Sequence, residues 1–287
     1  MKTLRTLLVS SRPLSWVNTA YPFAAAYLLT AQRIDLAWVV GTLYFLVPYN
    51  LAMYGINDVF DYESDLRNPR KGGVEGAVLE RSMHRTTLRA AIAINVPFLA
   101  VLMVLGGPAS WLVLALSVFA VVAYSAPGLR FKERPFLDSA TSSTHFVSPA
   151  LYGLVLARAD VTPALWALLG AFFLWGVASQ AFGAVQDVVA DRDGGIASVA
   201  TVTGAATTVR FAIAAYLVGG TLMLFTPWPG PLASLLVLPY VANIVPFAAL
   251  ADRDAEQAHR GWERFLWLNY VTGFFVTMLL IWYAAVR

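Results

Sequence analysis

Long apolar runs alternate with short polar stretches along the whole chain, and most of the runs are long enough to cross a hydrocarbon layer of about 30 Å. Nine such runs are placed at about Leu14 to Thr30, Leu36 to Tyr54, Leu88 to Leu105, Trp111 to Tyr124, Phe136 to Ala157, Pro163 to Phe182, Arg210 to Phe225, Leu232 to Leu250 and Phe265 to Ala285. The first run follows Lys2, Arg5 and Arg12 and contains Ala24, Ala25 and Ala26, the outline of a signal peptide. Trp16, Asn18 and Tyr21 are foreign to such a segment and further runs follow, so it reads as the first span. The expected fold is an all-α membrane protein: a bundle of nine transmembrane helices with a polar cap on the cytoplasmic side, forming one domain over residues 1–287.

Two of the polar stretches differ from ordinary loops. YGINDVFDYESDLRNPRK, Tyr54 to Lys71, places Asn57, Asp58, Asp61, Glu63 and Asp65 directly after the second run, followed by Arg67, Arg70 and Lys71. If the segment continues as a helix, Asn57, Asp61 and Asp65 recur every four residues and share one face. QDVVADRDGG, Gln186 to Gly195, follows the sixth run and puts Asp187 and Asp191 four apart, with Arg192 and Asp193 beside them. Like charges at that spacing repel by a few tenths of a kcal/mol per pair, and a divalent cation removes the penalty. Hard oxygen donors with no Cys or His nearby favour Mg2+, usually completed by substrate phosphates. A solvated acidic helix cap is the alternative for either stretch alone; a metal-bridged diphosphate accounts for both.

Composition supports the membrane reading. The chain is 59% hydrophobic and 13% charged with a mean hydropathy of +0.64, against about 25% charged in ordinary globular domains. With the N-terminus inside, the nine-span topology leaves only Arg33, Arg158 and Arg287 of the 20 Lys and Arg residues outside. This asymmetry puts both acidic stretches on the cytoplasmic side. The net charge of +3 therefore reports topology and not nucleic-acid binding. The absence of cysteine excludes disulfides, thiolate zinc and iron–sulfur ligation.

The loop YSAPGLRFKERP brings Arg130, Lys132 and Arg134 to the side of the acids. As Lys and Arg commonly hold phosphates, Arg130, Lys132, Arg70, Lys71 and Arg192 are candidate diphosphate ligands, although a positive-inside loop explains the first group as well. His84, His145 and His259 are too scattered for a metal site. His145, inside the fifth run, is either functional or a neutral ring bonded to neighbouring hydroxyls. Asp138, near the start of that run, can be interfacial. Asn18, Asn50, Gln180 and Asn269 are expected to make interhelical hydrogen bonds, and Trp16, Tyr21, Tyr54, Trp175, Trp267 and Tyr270 to anchor or pack.

Two motifs, NDxxDxxxD and DxxxD, after the second and sixth of nine spans, resemble the UbiA superfamily of intramembrane prenyltransferases over the whole chain. SSRPLSWVNTAYPF, YGINDVFDYESDLRNPRKGGVEGAVL, AYSAPGLRFKERPF and FLWLNY are similar to bacterial lycopene elongases. The resemblance implies that Asn57, Asp61 and Asp65, with Asp187 and Asp191, hold metal and diphosphate. Many relatives carry Lys four residues after the tyrosine of YSAP, where this chain has Gly128, leaving Arg130 or Lys132 as substitutes. The implied activity is Mg2+-dependent transfer of dimethylallyl groups from dimethylallyl diphosphate to the ends of lycopene, with hydroxylation or hydration of the new unit left open and association with carotenoid cyclase subunits conceivable. An aromatic or quinone-precursor acceptor and a membrane transporter are the rival functions. Transporters place ionic sites near the midplane, whereas these acids sit at span ends. Lycopene offers no polar handle, so its recognition is expected from a lateral gap between helices. Gly153, Gly170 and Gly183 are the small positions first suspected of facing that gap.

Overall fold

The computed structural model describes residues 2–66 and 79–286. Among these every regular element is helical: α1 (Lys2–Ser10), α2 (Trp16–Ala31), α3 (Leu36–Leu46), α4 (Pro48–Phe60), α5 (Tyr62–Asp65), α6 (Arg81–Leu105), α7 (Pro108–Ser125), α8 (Leu137–Leu156), α9 (Pro163–Val185), α10 (Val188–Asp193), α11 (Val199–Thr203), α12 (Ala205–Met223), α13 (Val237–Ile244) and α14 (His259–Val286), joined in places by 3-10 turns. The chain forms two compact units. The first comprises Met1–Phe131 and Thr144–Ala159, the second Lys132–Ser143 and Asp160–Arg287, so α8 contributes to both.

Among the described residues, seven segments are long and apolar enough to cross a membrane: residues 36–60, 81–105, 108–125, 163–185, 205–223, 230–247 and 252–286. The other two expected spans are helices that do not reach that standard. α2 has 16 residues, and α8 carries Ser139, Thr141, Ser142, Ser143, Thr144, His145 and Ser148, whose polar groups lower its hydropathy.

In the first unit, the second span is broken into α3 and α4 because Pro48 lacks the N–H that would continue the helical ladder. Carbonyls near the break need donors in an apolar medium, and asparagines supply them. Asn50 Nδ2 donates to the Phe45 carbonyl at 2.8 Å and to Thr19 Oγ1 at 2.7 Å, and Asn95 Nδ2 donates to the Pro48 carbonyl at 2.7 Å. The expected interhelical role of Asn50 is therefore observed. Around this break Phe23, Tyr44, Phe45, Tyr49 and Tyr152 are buried, with Phe23 and Phe45 ring centroids 5.3 Å apart.

In the second unit, α9 packs on α12 through Ala178, Ala181, Ala212 and Ala215, small residues that allow backbones to approach in the absence of a hydrophobic drive between membrane helices. Thr162 caps α9 by accepting from Leu165 N at 3.2 Å. Gln180 accepts from Ser142 Oγ at 3.0 Å and Asn269 Oδ1 from Tyr240 OH at 2.9 Å, again interhelical bonds as expected. Trp175 packs on Phe265 inside the unit, whereas Trp267, Val271, Phe274 and Ile281 of α14 are exposed, as lipid-facing side chains would be.

The three glycines suspected of lining a lateral gap do not face open space. A Cβ at Gly153 would lie 2.8 Å from the Phe23 carbonyl, one at Gly170 3.1 Å from a Leu222 methyl, and one at Gly183 2.9 Å from the Trp262 ring. They are points where helices or a bulky ring come close, which is the other use of glycine within a membrane bundle.

Candidate active site

The first acidic stretch does not run on as one uninterrupted helix. α4 ends at Phe60, Asp61 adopts φ −99° and ψ 1°, and α5 begins at Tyr62. The i,i+4 relation expected of Asn57 and Asp61 survives, because Asp61 N still donates to the Asn57 carbonyl at 2.9 Å. Their side chains meet directly: Asn57 Nδ2 donates to Asp61 Oδ2 at 2.6 Å and to Ser125 Oγ, at the end of α7, at 3.0 Å. With its NH2 group so engaged, Asn57 offers an incoming ligand only its amide oxygen. Asp61 is buried, at 4% exposure, and Arg130 Nη2 stands 4.0 Å from its Oδ1. Asp65 belongs to α5, but its side chain, like Arg70 and Lys71, lies outside the described residues.

An anchor that the sequence alone did not disclose holds this stretch from below. Arg12, read as a topology cation, donates through Nη2 to Asp58 Oδ1 at 3.1 Å, and its guanidinium lies 4.3 Å from the centroid of the Tyr54 ring. Asp58 is 1% exposed. The signal available was spacing: Tyr54 and Asp58 are four apart on α4, so an aromatic face and a carboxylate stack on one side of the helix, a surface suited to a planar cation.

Gly128, where many relatives have Lys, adopts φ +86°, a left-handed turn that glycine enters without steric cost. Two residues on, Arg130 adopts φ +41°, which is disfavoured for a residue with a Cβ. The turn thus delivers Arg130 towards Asp61 at some conformational expense. Lys132 sits in the 3-10 turn Phe131–Glu133 and is partly buried.

In the second unit α9 ends at Val185 and α10 begins at Val188, with Asp187 as the residue that precedes it. Asp191 N donates to the Asp187 carbonyl at 2.8 Å, so the two acids lie one turn apart, both partly exposed. Gln186, beside them, accepts through Oε1 from His259 Nδ1 at 2.7 Å. Arg192 is turned to the scaffold: Nη2 donates to the Thr201 carbonyl at 2.7 Å and Nη1 to Asp252 Oδ2 at 2.6 Å. Asp252 also accepts from Ala205 N, at the start of α12, at 2.7 Å. That backbone bond, and then Arg192, hold the Asp252 carboxyl below the usual carboxylate range.

Asp138, near the start of α8, is 1% exposed. Its Oδ2 accepts from Val199 N, at the N-terminus of α11, at 2.8 Å, where a carboxylate satisfies an orphan donor and the helix dipole together.

Among the described residues no three His, Asp or Glu side chains converge as a ready metal cluster. The donors present in each motif are nevertheless hard oxygens only, and in the first motif an amide oxygen stands beside a buried carboxylate. That donor set suits Mg2+, which needs few protein ligands and retains its waters.

Comparison with known proteins agrees with this chemistry. Residues 19–269 match the UbiA prenyltransferase family. The chain belongs to that family, and it is a prenyltransferase. It is 54% identical over 281 residues to the lycopene elongase/hydratase of Corynebacterium glutamicum, covering 98% of each chain. It is 59% identical over 280 residues to the C(50) beta-cyclic carotenoids biosynthesis protein LbtBC of Dietzia sp. (strain CQ4), covering 97% of this chain but only 65% of that one. The fold matches a UbiA homolog from Archaeoglobus fulgidus bound to DMAPP and Mg2+, with a TM-score of 0.66 at 17% identity over 93% of this chain and 98% of that one.

Proposed function

We propose that this enzyme transfers dimethylallyl groups from dimethylallyl diphosphate to the ends of lycopene, giving C45 and C50 carotenoids. The observation that carries the reading is the end-to-end 54% identity to a lycopene elongase/hydratase in a chain whose first motif pairs Asn57 with a buried Asp61. The whole chain acts as one prenyltransferase domain, with nine spans and both acidic motifs on the cytoplasmic side, where soluble diphosphates are found; the distribution of Lys and Arg supports this orientation.

In this reading Asn57, Asp61 and Asp65, with Asp187 and Asp191, hold Mg2+. When bound, the metal neutralises charge on the departing diphosphate. Asn57 is fixed by Ser125 and Asp61, so its oxygen is oriented before the donor arrives. Arg130 grips the diphosphate, supported by its strained backbone and its place beside Asp61. Lys132, and Arg70 and Lys71 beyond the described residues, are further cations for the same task. Arg192 acts by fixing the second motif through Thr201 and Asp252. The acceptor, a hydrocarbon, is recognised by apolar burial and enters from the lipid.

The test is to incubate membranes containing the protein with lycopene, dimethylallyl diphosphate and Mg2+ and to read product masses. A C45 and C50 series, lost on chelation, is expected. Prenylation of an aromatic or quinone precursor with none of lycopene would overturn the assignment.

A further inference from the structure

α8 carries an imidazole that the chemistry above leaves unused. His145 is 3% exposed, and among the described residues its Nε2 has no hydrogen-bond partner. In the tautomer with its proton on Nδ1 the ring can donate to the Ala120 backbone. Nε2 is then a bare lone pair. The neighbouring hydroxyls that the sequence suggested as partners are engaged elsewhere: Ser148 Oγ pairs with Ser117 Oγ at 2.7 Å, Ser117 Oγ with Tyr49 OH at 3.2 Å, and Ser143 Oγ with the Phe173 carbonyl at 2.7 Å.

A buried acceptor with nothing to accept costs stability unless a proton donor visits it. The His145 ring packs edge-on against Tyr124, with centroids 5.2 Å apart, and the next residue, Ser125, accepts from Asn57. The last turn of α7 therefore contacts the imidazole with one residue and the first acidic motif with the following one.

Resting on the proposed prenyl transfer, we infer that His145 Nε2 is the proton acceptor that completes the reaction. The allylic C–O bond breaks with its electron pair leaving on diphosphate, and the terminal π bond of the acceptor forms the new C–C bond, which leaves a tertiary cation. Either a C–H bond beside that cation breaks, its electrons forming the new double bond, or a water oxygen attacks the cation. In both cases the released proton goes to Nε2, and the imidazolium returns it to water when the product leaves. Completion by a neutral imidazole suits a buried site: the base starts uncharged, so it needs no counter-ion while waiting. One base also serves both outcomes joined in the name elongase/hydratase carried by the C. glutamicum relative.

The test uses the full-length protein in membranes with lycopene, dimethylallyl diphosphate and Mg2+. His145→Asn keeps an N–H in the Nδ1 position for the Ala120 carbonyl and removes Nε2; His145→Ala leaves a space for added imidazole. Both variants should bind an unreactive thiolo analogue of the donor within about twofold of wild type while C50 formation falls about 100-fold, within the range for a general base. Imidazole should restore His145→Ala in proportion to its concentration and leave wild type unchanged. A purely structural histidine predicts near-normal turnover for His145→Asn and no rescue. Wild-type rates in His145→Asn, absence of rescue, or loss of donor binding in both variants would each overturn the inference. If wild type itself prenylates no lycopene, the proposed function fails first, and the inference with it.

Discussion

The two units each end a long helix in an acid pair at four-residue spacing, but they prepare those acids differently. In the first unit Asp61 is buried, bonded to Asn57, and Asp58 one turn earlier on the same helix is locked to Arg12. In the second unit Asp187 and Asp191 are partly exposed, and their neighbours are tied to the scaffold: Gln186 to His259, and Arg192 to Thr201 and Asp252. The same sequence signal thus sits in two different settings, one with a buried carboxylate and one with partly exposed carboxylates flanked by anchored neighbours. In the proposed function, the fixed first motif needs little reorganisation at the moment charge develops.

The largest effect tests whether both motifs are needed at all. Asp61→Ala and Asp191→Ala should each lower C50 formation about 100-fold or more, the scale of losing a principal electrostatic contact to a developing anion, with membrane insertion unchanged. Product masses per unit of inserted protein decide it. Near-normal turnover in either variant removes that motif from the chemistry, and the comparison with it.

A smaller effect separates the anchors. Removing one partner of a buried ion pair strands the other, a loss of about 3–5 kcal/mol when burial is complete. Arg12 retains 21% exposure and Asp58 none, so Arg12→Met should destabilise by about 2 kcal/mol, with Asp58→Asn in the same chain recovering part of it. Arg192→Met should lose only about 1 kcal/mol, because its partner Asp252 is 39% exposed and an exposed pair is weak. Thermal midpoints in detergent give both values; equal losses would erase the distinction between the two scaffolds.

Much of this was legible in the order of residues. The helical class, the membrane runs and both acid motifs follow from apolar run length and four-residue spacing, and the interhelical roles of Asn50 and Gln180 from the rarity of amides in hydrocarbon. Arg12 with Asp58 and Arg192 with Asp252 were not, because a partner 46 or 60 residues away leaves no local pattern. The partner of Asp138, Val199 N, was hidden for the same reason, being a backbone group that no side-chain motif announces. The glycines were misjudged because a missing side chain reads the same in sequence whether it opens a gap or admits a neighbour. α2 falls below the standard for a span by its length of 16 residues, and α8 because its Ser, Thr and His side chains lower its hydropathy.

Glycine also sharpens the contrast between units. At Gly153 the added methyl would meet the Phe23 carbonyl, fixed backbone, at 2.8 Å, whereas at Gly170 it meets the movable end of Leu222 at 3.1 Å. Gly153→Ala should cost about 1–3 kcal/mol, the range for overpacking. Gly170→Ala should cost less than about 1 kcal/mol, since a side chain can give way. Chemical denaturation or thermal midpoints of the two variants check the order, and a reversal would mean the first unit is the more yielding one.

The smallest effect concerns the pH dependence of the second scaffold. Asp252 is held below its ordinary 3.8 by the Ala205 N–H and then by Arg192, so its folded value lies under its unfolded one. Stability from this group is therefore complete above the unfolded value, near pH 4, and is lost as pH falls through the lower folded value. With the pair two-fifths exposed, the contribution is about 0.2–1 kcal/mol. Asp252→Asn should lower the thermal midpoint slightly at pH 7 and converge with wild type towards pH 3. The Arg12–Asp58 pair provides the internal control, since Arg12→Met should remain destabilised at pH 6 and 7 whichever residue occupies position 252. If the Asp252→Asn difference stayed constant from pH 7 to pH 3, the carboxylate charge would contribute nothing, and the open motif would be held by the Arg192 bonds to Thr201 alone.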